Sequence, residues 1–261
     1  MNLDLSGKHA LVCGASQGIG RAAAIALAEL GADVTVLARS RAALEAVVAA
    51  LPRSGAQTHG WIDVDMNDAP ALRARVEAAA TARPITILVN NTGGPAGGPA
   101  HGADAAAYLA AFQQHLLANH ALVQAVLPGM QGAQWGRVVN VISTSVKEPI
   151  RGLGVSNTIR GAVAAWSKTL AGELGPYGIT VNNVLPGYTT TQRLEQILQD
   201  RARSSGKAPA EVAAAMLASV PAGRFAEASE IAAAIAFLAS PAAGYINGVN
   251  LPVDGGRTLS L

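Results

Sequence analysis

The chain's first candidate for chemistry is the turn Gly14-Ala15-Ser16-Gln17-Gly18-Ile19-Gly20. It follows the apolar run His9-Ala10-Leu11-Val12 and Cys13, and opens an Ala-rich helical pattern from Arg21 to Gly31. Glycines let a backbone turn tightly and approach a ligand closely, and the unpaired N–H groups of a helix N-terminus attract an anion such as a pyrophosphate. A glycine turn on its own also serves plain strand-to-helix packing. With a strand pattern before it and a helix pattern after it, the nucleotide-binding reading is favoured.

Three further groups stand just after apolar runs. Ala38-Arg39-Ser40-Arg41 places Ala38 where an acidic residue accepts ribose hydroxyls in NAD-binding sheets, and Arg39 could pair with a 2′-phosphate. This favours NADP(H); the alternative is a pair of solvated arginines starting a helix. In Asp63-Val64-Asp65 one carboxylate could meet an adenine amino group, the other capping a helix near Asn67-Asp68. Asn90-Asn91-Thr92-Gly93-Gly94 offers small residues that let a backbone lie flat against a cofactor, or simply a flexible turn.

Elements able to position these groups are legible from the alternation of short apolar runs with longer Ala-rich segments. Strands are expected at His9–Val12, Asp33–Ala38, Thr58–Ile62, Ile85–Asn90, Gly136–Ile142, Ile179–Leu185 and Val249–Pro252. Helical patterns include Arg41–Leu51, Ala69–Ala82, Ala105–Met130, Ser156–Leu174 and Glu227–Leu238. This alternation predicts one α/β domain over 1–261, a Rossmann-like doubly wound parallel sheet with helices on both faces and ligands at the carboxyl ends of its strands. The length of 261 residues, with 50% hydrophobic and 14% charged, suits a single large core. A net charge of +2 without a basic block gives no support for nucleic-acid binding. With one cysteine no internal disulfide is expected. No metal site, signal peptide or membrane span is read, so a cytoplasmic location is the expectation.

Together these residues resemble the short-chain dehydrogenase/reductase family, in its β-ketoacyl-carrier-protein-reductase-like branch. The likeness runs from Gly7 to Gly256 through the glycine turn, Asp63-Val64, Asn90-Asn91-Thr92-Gly93 and Gly178-Ile179-Thr180-Val181-Asn182. It continues through Pro186-Gly187 with Thr191, Gly223-Arg224-Phe225 and Val253-Asp254-Gly255-Gly256. The resemblance implies a nicotinamide cofactor, a dimer or tetramer, and a catalytic set of Asn, Ser, Tyr and Lys. It implies contacts from Thr189 and Thr191 after the Pro186-Gly187 turn, Thr191 holding the carboxamide or a phosphate. It also implies that 192–219 forms a helical substrate lid; its Arg193, Arg201 and Arg203 could attract an acidic or carrier-bound substrate, and a solvated helix face explains them equally well.

Carried over residue by residue, the family's serine falls at Ser143, closing the fifth strand, where its hydroxyl would bond a substrate carbonyl. Its alternative is to tie its own loop. Ser156 falls at the tyrosine position and Arg160 at the lysine position; the asparagine position falls at His115. This divergent subgroup lacks the Tyr-x-x-x-Lys pair: none of Tyr108, Tyr177, Tyr188 or Tyr245 has lysine four residues on. Serine is a far weaker acid than a tyrosine beside a lysine, and Arg160 can hold ribose hydroxyls but cannot shuttle protons. Compensation could come from a water held by Ser143, Ser156 and Arg160, from His115 titrating near neutrality, from Lys147, or from Tyr188.

The expected function is an NADP(H)-dependent oxidoreductase acting on a carbonyl/alcohol pair, small or acyl-carrier-bound, in a homo-oligomer. The alternatives are a cofactor-binding protein without turnover, acting as redox sensor or oligomer partner, and a non-redox lyase or isomerase.

Overall fold

Strands covered on both faces need no polar alternation, and the apolar runs of this chain form such strands. The computed structural model describes residues 1–260. Among these, β1 (His9–Cys13), β2 (Asp33–Ala38), β3 (Gly60–Asp63), β4 (Ile87–Asn90), β5 (Gly136–Val141), β6 (Ile179–Pro186) and β7 (Asn250–Val253) build one sheet. Its order is β3-β2-β1-β4-β5-β6-β7, and every neighbouring pair is parallel. The chain returns through α1 (Gly18–Glu29), α2 (Arg41–Ala50), α3 (Ala69–Ala82), α4 (Ala105–Phe112), α5 (Ala118–Gly132), α6 (Gly154–Leu174), α7 (Gln192–Ser205), α8 (Pro209–Leu217) and α9 (Ala228–Ala239).

Alternate residues of β1 serve the two faces. Ala10 and Val12 pack with Leu27, Ile231 and Ile235, while Leu11 and Cys13 pack with Leu72, Val76, Leu122 and Val126. Burial pushes the Cys13 thiol up to about 12, which leaves it a small apolar side chain with no thiolate chemistry. The strand order reverses between β1 and β4, and at such a switch point the loops part to leave a crevice at the carboxyl ends.

The expected starts of the fourth strand and of the Ser156–Leu174 helix shift by two residues, to Ile87 and Gly154, and two further expectations need correction. The third strand begins at Gly60, because Thr58 and His59 are tied to β2 by backbone-to-side-chain bonds instead of a ladder. Thr58 N donates to the Asp33 carboxylate and His59 Nδ1 accepts from Val34 N at 3.1 Å. The helix expected over Ala105–Met130 is interrupted by a π turn at Gln113–Leu117 between α4 and α5. Beyond β6, α7 and α8 share a small apolar cluster of Leu194, Ala202, Val212 and Met216, separate from the two clusters flanking the sheet. No helix among the described residues is long and apolar enough to cross a membrane.

Candidate active site

A cleft of about 710 Å³ opens at the carboxyl ends of the strands. Its floor is the turn after β1, where Gly14 and Gly18 have φ of +59° and +55°. A Cβ at Gly14 would stand 2.6 Å from the Asn91 carbonyl oxygen, so only glycine fits the turn. Ser16, Gln17, Gly18 and Ile19 line the cleft. Gly20 does not: a Cβ there would collide with the Gly14 carbonyl oxygen, so Gly20 lets α1 pack against β1 and its expected cofactor contact is corrected. Gln17, at the N-cap of α1, makes no side-chain cap, and the first turn holds no acidic residue. By contrast Ser40 caps α2 at 3.4 Å and Asp68 caps α3 at 3.1 Å. The first N–H groups of α1 are thus left for a ligand, and glycine cradle and helix end together fit a dinucleotide pyrophosphate.

At the β2–β3 end, Ala38, Arg39 and Ser40 line the cleft. Arg41 does not; its guanidinium pairs with Glu45 at 2.8 Å and lies over the Trp61 ring. Val64 lines the cleft, but Asp63 turns away to an ion pair with Arg75. Asp65 stands on the cleft in its place, accepting from the Asn67 backbone and side chain at 2.9 and 3.0 Å. Asn90 is likewise displaced from the expected role. Its side chain is wholly buried and donates to Asn140 Oδ1 at 2.8 Å, because the last ladder residue of β4 faces into the fold. Asn91 takes the wall position and donates to the Cys13 and Gly14 carbonyls, each at 3.3 Å. Thr92, Gly93, Pro186, Gly187, Thr189 and Thr191 line the cleft. Thr191 also caps α7, accepting from Leu194 N at 3.4 Å.

Ser143, Ser156 and Arg160 all line the cleft. Ser143 Oγ accepts from Ser145 N at 3.1 Å, which orients the hydroxyl and leaves its proton to donate. Ser156 and Arg160 lie one turn apart on α6 and so share a face. Arg160 is buried, donates Nη1 to the Val141 carbonyl at 2.9 Å, and its Nε has no acceptor among the described residues. Burial, then the charge of Arg193, brings its pKa down to about 10, so it remains a cation.

His115 sits in the π turn, buried and off the cleft wall, its Nδ1 hydrogen-bonded with the Thr92 hydroxyl. Burial, with Arg160 adding repulsion, lowers its pKa to about 3. The expectation that it titrates near neutrality is therefore corrected: the imidazole is neutral and supports Thr92. The sequence pattern missed Gln114, which the same π turn presents to the cleft. Tyr188 lines the cleft beneath the Arg257 guanidinium, 5.0 Å from its ring centre; Lys147 is not among the lining residues. Of the basic residues after β6, Arg193 lines the cleft and donates to the Pro95 carbonyl at 2.7 Å. Arg203 is paired with Asp200 instead.

The sequence pattern of the family described as Enoyl-(Acyl carrier protein) reductase matches residues 14–258. The chain is 33% identical to a 3-oxoacyl-[acyl-carrier-protein] reductase of Pseudomonas aeruginosa over 261 residues, covering 99% of this chain and 100% of that protein. It is 35% identical to the enzyme of the same name from Haemophilus influenzae, covering 98% and 100%. In structure it is similar to L-sorbose reductase of Gluconobacter frateurii complexed with NADPH and L-sorbose, with a TM-score of 0.93, 27% identity and full coverage of both chains. Sheet order, cleft and whole-length likeness agree: the chain belongs to the short-chain dehydrogenase/reductase family of NAD(P)-dependent oxidoreductases.

Proposed function

We propose that this protein is an NADP(H)-dependent oxidoreductase that interconverts a carbonyl and an alcohol with a proton path rebuilt without the family's tyrosine and lysine. The observation that carries the reading is the placement of Ser143, Ser156 and Arg160 on the wall of the cleft whose floor is the glycine turn. The glycine turn and the open end of α1 receive the pyrophosphate. Arg39, on the cleft and outside any ion pair among the described residues, would pair with the 2′-phosphate; Arg41, held by Glu45, would not.

When bound, the reduced nicotinamide supplies a hydride to the carbonyl carbon. The Ser143 hydroxyl donates to the carbonyl oxygen, and the Arg160 cation stabilises the negative charge that gathers there. A further donor of Arg160 would meet a ribose hydroxyl, which leaves others uncommitted. Ser156 is too weak an acid to give up its own proton at neutral pH. Its short side chain leaves space for a water that relays a proton from bulk solvent to the alkoxide, each proton it passes on being restored to it by solvent acid.

The curated relatives named for 3-oxoacyl reduction support a ketone of that type, free or carrier-bound. The separate cluster within α7 and α8 supports a lid over 192–219, with Leu194 and Ile197 facing the cleft. Exposed Leu109, Phe112 and Leu117 support burial against a second copy of the chain.

Titration of the purified protein with NADPH and NADH, followed by a ketone screen, tests the reading. NADPH is expected to bind at least about tenfold tighter than NADH, the worth of one charge-assisted contact. Ser143→Ala should lower kcat about a hundredfold with NADPH affinity unchanged. Binding of neither nucleotide overturns the proposal. The buried, neutral His115 favours a second reading, a nucleotide-binding protein without turnover; NADPH binding without hydride transfer to any ketone would select it.

A further inference from the structure

The reacting end of the cleft holds more positive charge than carbonyl reduction requires. Among the described lining residues Arg160 and Arg193 stand there, while the single lining carboxylate, Asp65, lies at the β3 end and is engaged by Asn67. Arg160 comes from α6 and Arg193 from α7, yet both reach Gly94. Their Nη2 atoms stand 3.8 and 3.6 Å from the point a Cβ would occupy there, a space that glycine keeps open.

No carboxylate forms an ion pair with either cation among the described residues. Arg160 is 7% exposed, spends Nη1 on the Val141 carbonyl, and keeps an Nε without an acceptor. Arg193 is exposed and spends one donor on the Pro95 carbonyl. Of the acids on α7, Glu195 forms no ion pair with Arg193 among the described residues, and Asp200 is taken by Arg203 and Gln196. Two facing cations, one of them buried with an unmet donor, are held together at a cost that an incoming anion removes. Each has one side left for a small planar acceptor, which is the geometry in which guanidinium groups bind carboxylate.

We propose that the substrate carries a carboxylate seated between Arg160 and Arg193 over Gly94, so that the protein acts on a keto acid and its hydroxy acid. The keto group rests on the oxidoreductase reading above; the anion seat does not. Because Arg193 lies at the start of the proposed lid, the carboxylate also ties α7 to α6 when it binds.

The test is calorimetric titration of the NADPH-saturated protein with 3-hydroxyhexanoate and with its methyl ester. Cofactor and ligand are both reduced, so no turnover intervenes. The acid is expected to bind at least about tenfold tighter than the ester. Arg193→Gln should erase that difference while leaving NADPH and ester affinities unchanged, and Arg193→Lys should restore part of it. Equal binding of acid and ester overturns the proposal. So does an Arg193→Gln variant that loses NADPH as much as acid, which would give the pair to the cofactor. Inorganic phosphate binding as tightly as the acid would overturn the carboxylate assignment. Failure of the oxidoreductase reading looks different: the acid–ester gap persists while 3-oxohexanoate fails to consume NADPH.

Discussion

Two buried arginines stand at opposite ends of the same sheet and show what separates scaffold from site. Arg137, near the start of β5, donates to the carbonyls of Ser240, Gly136 and Gly178 at 3.4, 2.8 and 3.3 Å, and lies over the Trp135 ring. Arg160, beside the carboxyl end of β5, has one carbonyl and a second cation. Burial brings both to about 10, so burial alone does not distinguish them. The difference lies in how far the surroundings answer the charge. Arg137 is surrounded by backbone dipoles and an aromatic face; Arg160 is left for a ligand to complete.

The largest test of that contrast removes the unanswered charge. Arg160→Met should lower kcat/KM at least about a hundredfold while leaving the melting temperature unchanged or raised, since an uncompensated buried cation is lost. Steady-state kinetics and thermal melts check the two halves. Arg137→Met should do the reverse, costing about 2 kcal/mol in urea unfolding because carbonyl acceptors lose their donor. Its kcat/KM and NADPH affinity should not change. Equal stability losses for the two variants would abolish the distinction.

A smaller effect comes from the histidines at the same two ends. Burial is the main cause that lowers His9 to about 4 and His115 to about 3, both from the usual 6.5. The fold therefore favours their neutral forms. This stability is fully present above pH 6.5 and falls as pH drops toward 4 and 3, because the unfolded chain takes up protons first. His115→Gln should flatten the acid limb of a stability–pH curve, and the native enzyme should show no rate inflection from this residue near pH 6.5.

Much of the architecture was legible in the sequence because parallel strands covered on both faces must be short and apolar, and each of the first six is followed by a helix. The glycine turn was legible for the same kind of reason, since Gly14 and Gly18 need a backbone that other residues resist. Side-chain direction was less so. Asp63 and Asp65 differ by which has Arg75 beside it, and Asn90 and Asn91 by which faces the fold interior, facts that depend on distant chain. The π turn carries no Gly or Pro to announce it, so neither the burial of His115 nor the presence of Gln114 on the cleft could be read from residue types.

The burial of Asn90 has a consequence for how the sheet holds its shape. Asn90, Asn140, Asn183 and Asn250 stand side by side in register across β4, β5, β6 and β7. Each passes an amide hydrogen to the next oxygen, at 2.8, 3.0 and 2.8 Å, always in the same direction. Turning any one inner amide over would set donor against donor on one side and oxygen against oxygen on the other. The four side chains therefore behave like a zip with a single closing sense, in which a one-residue slip of any strand breaks links on its neighbours. Asn140 adds a branch to Ser167 on α6, the helix that carries Ser156 and Arg160. The row thereby couples the alignment of four strands to the seating of the helix that bears the proposed chemistry.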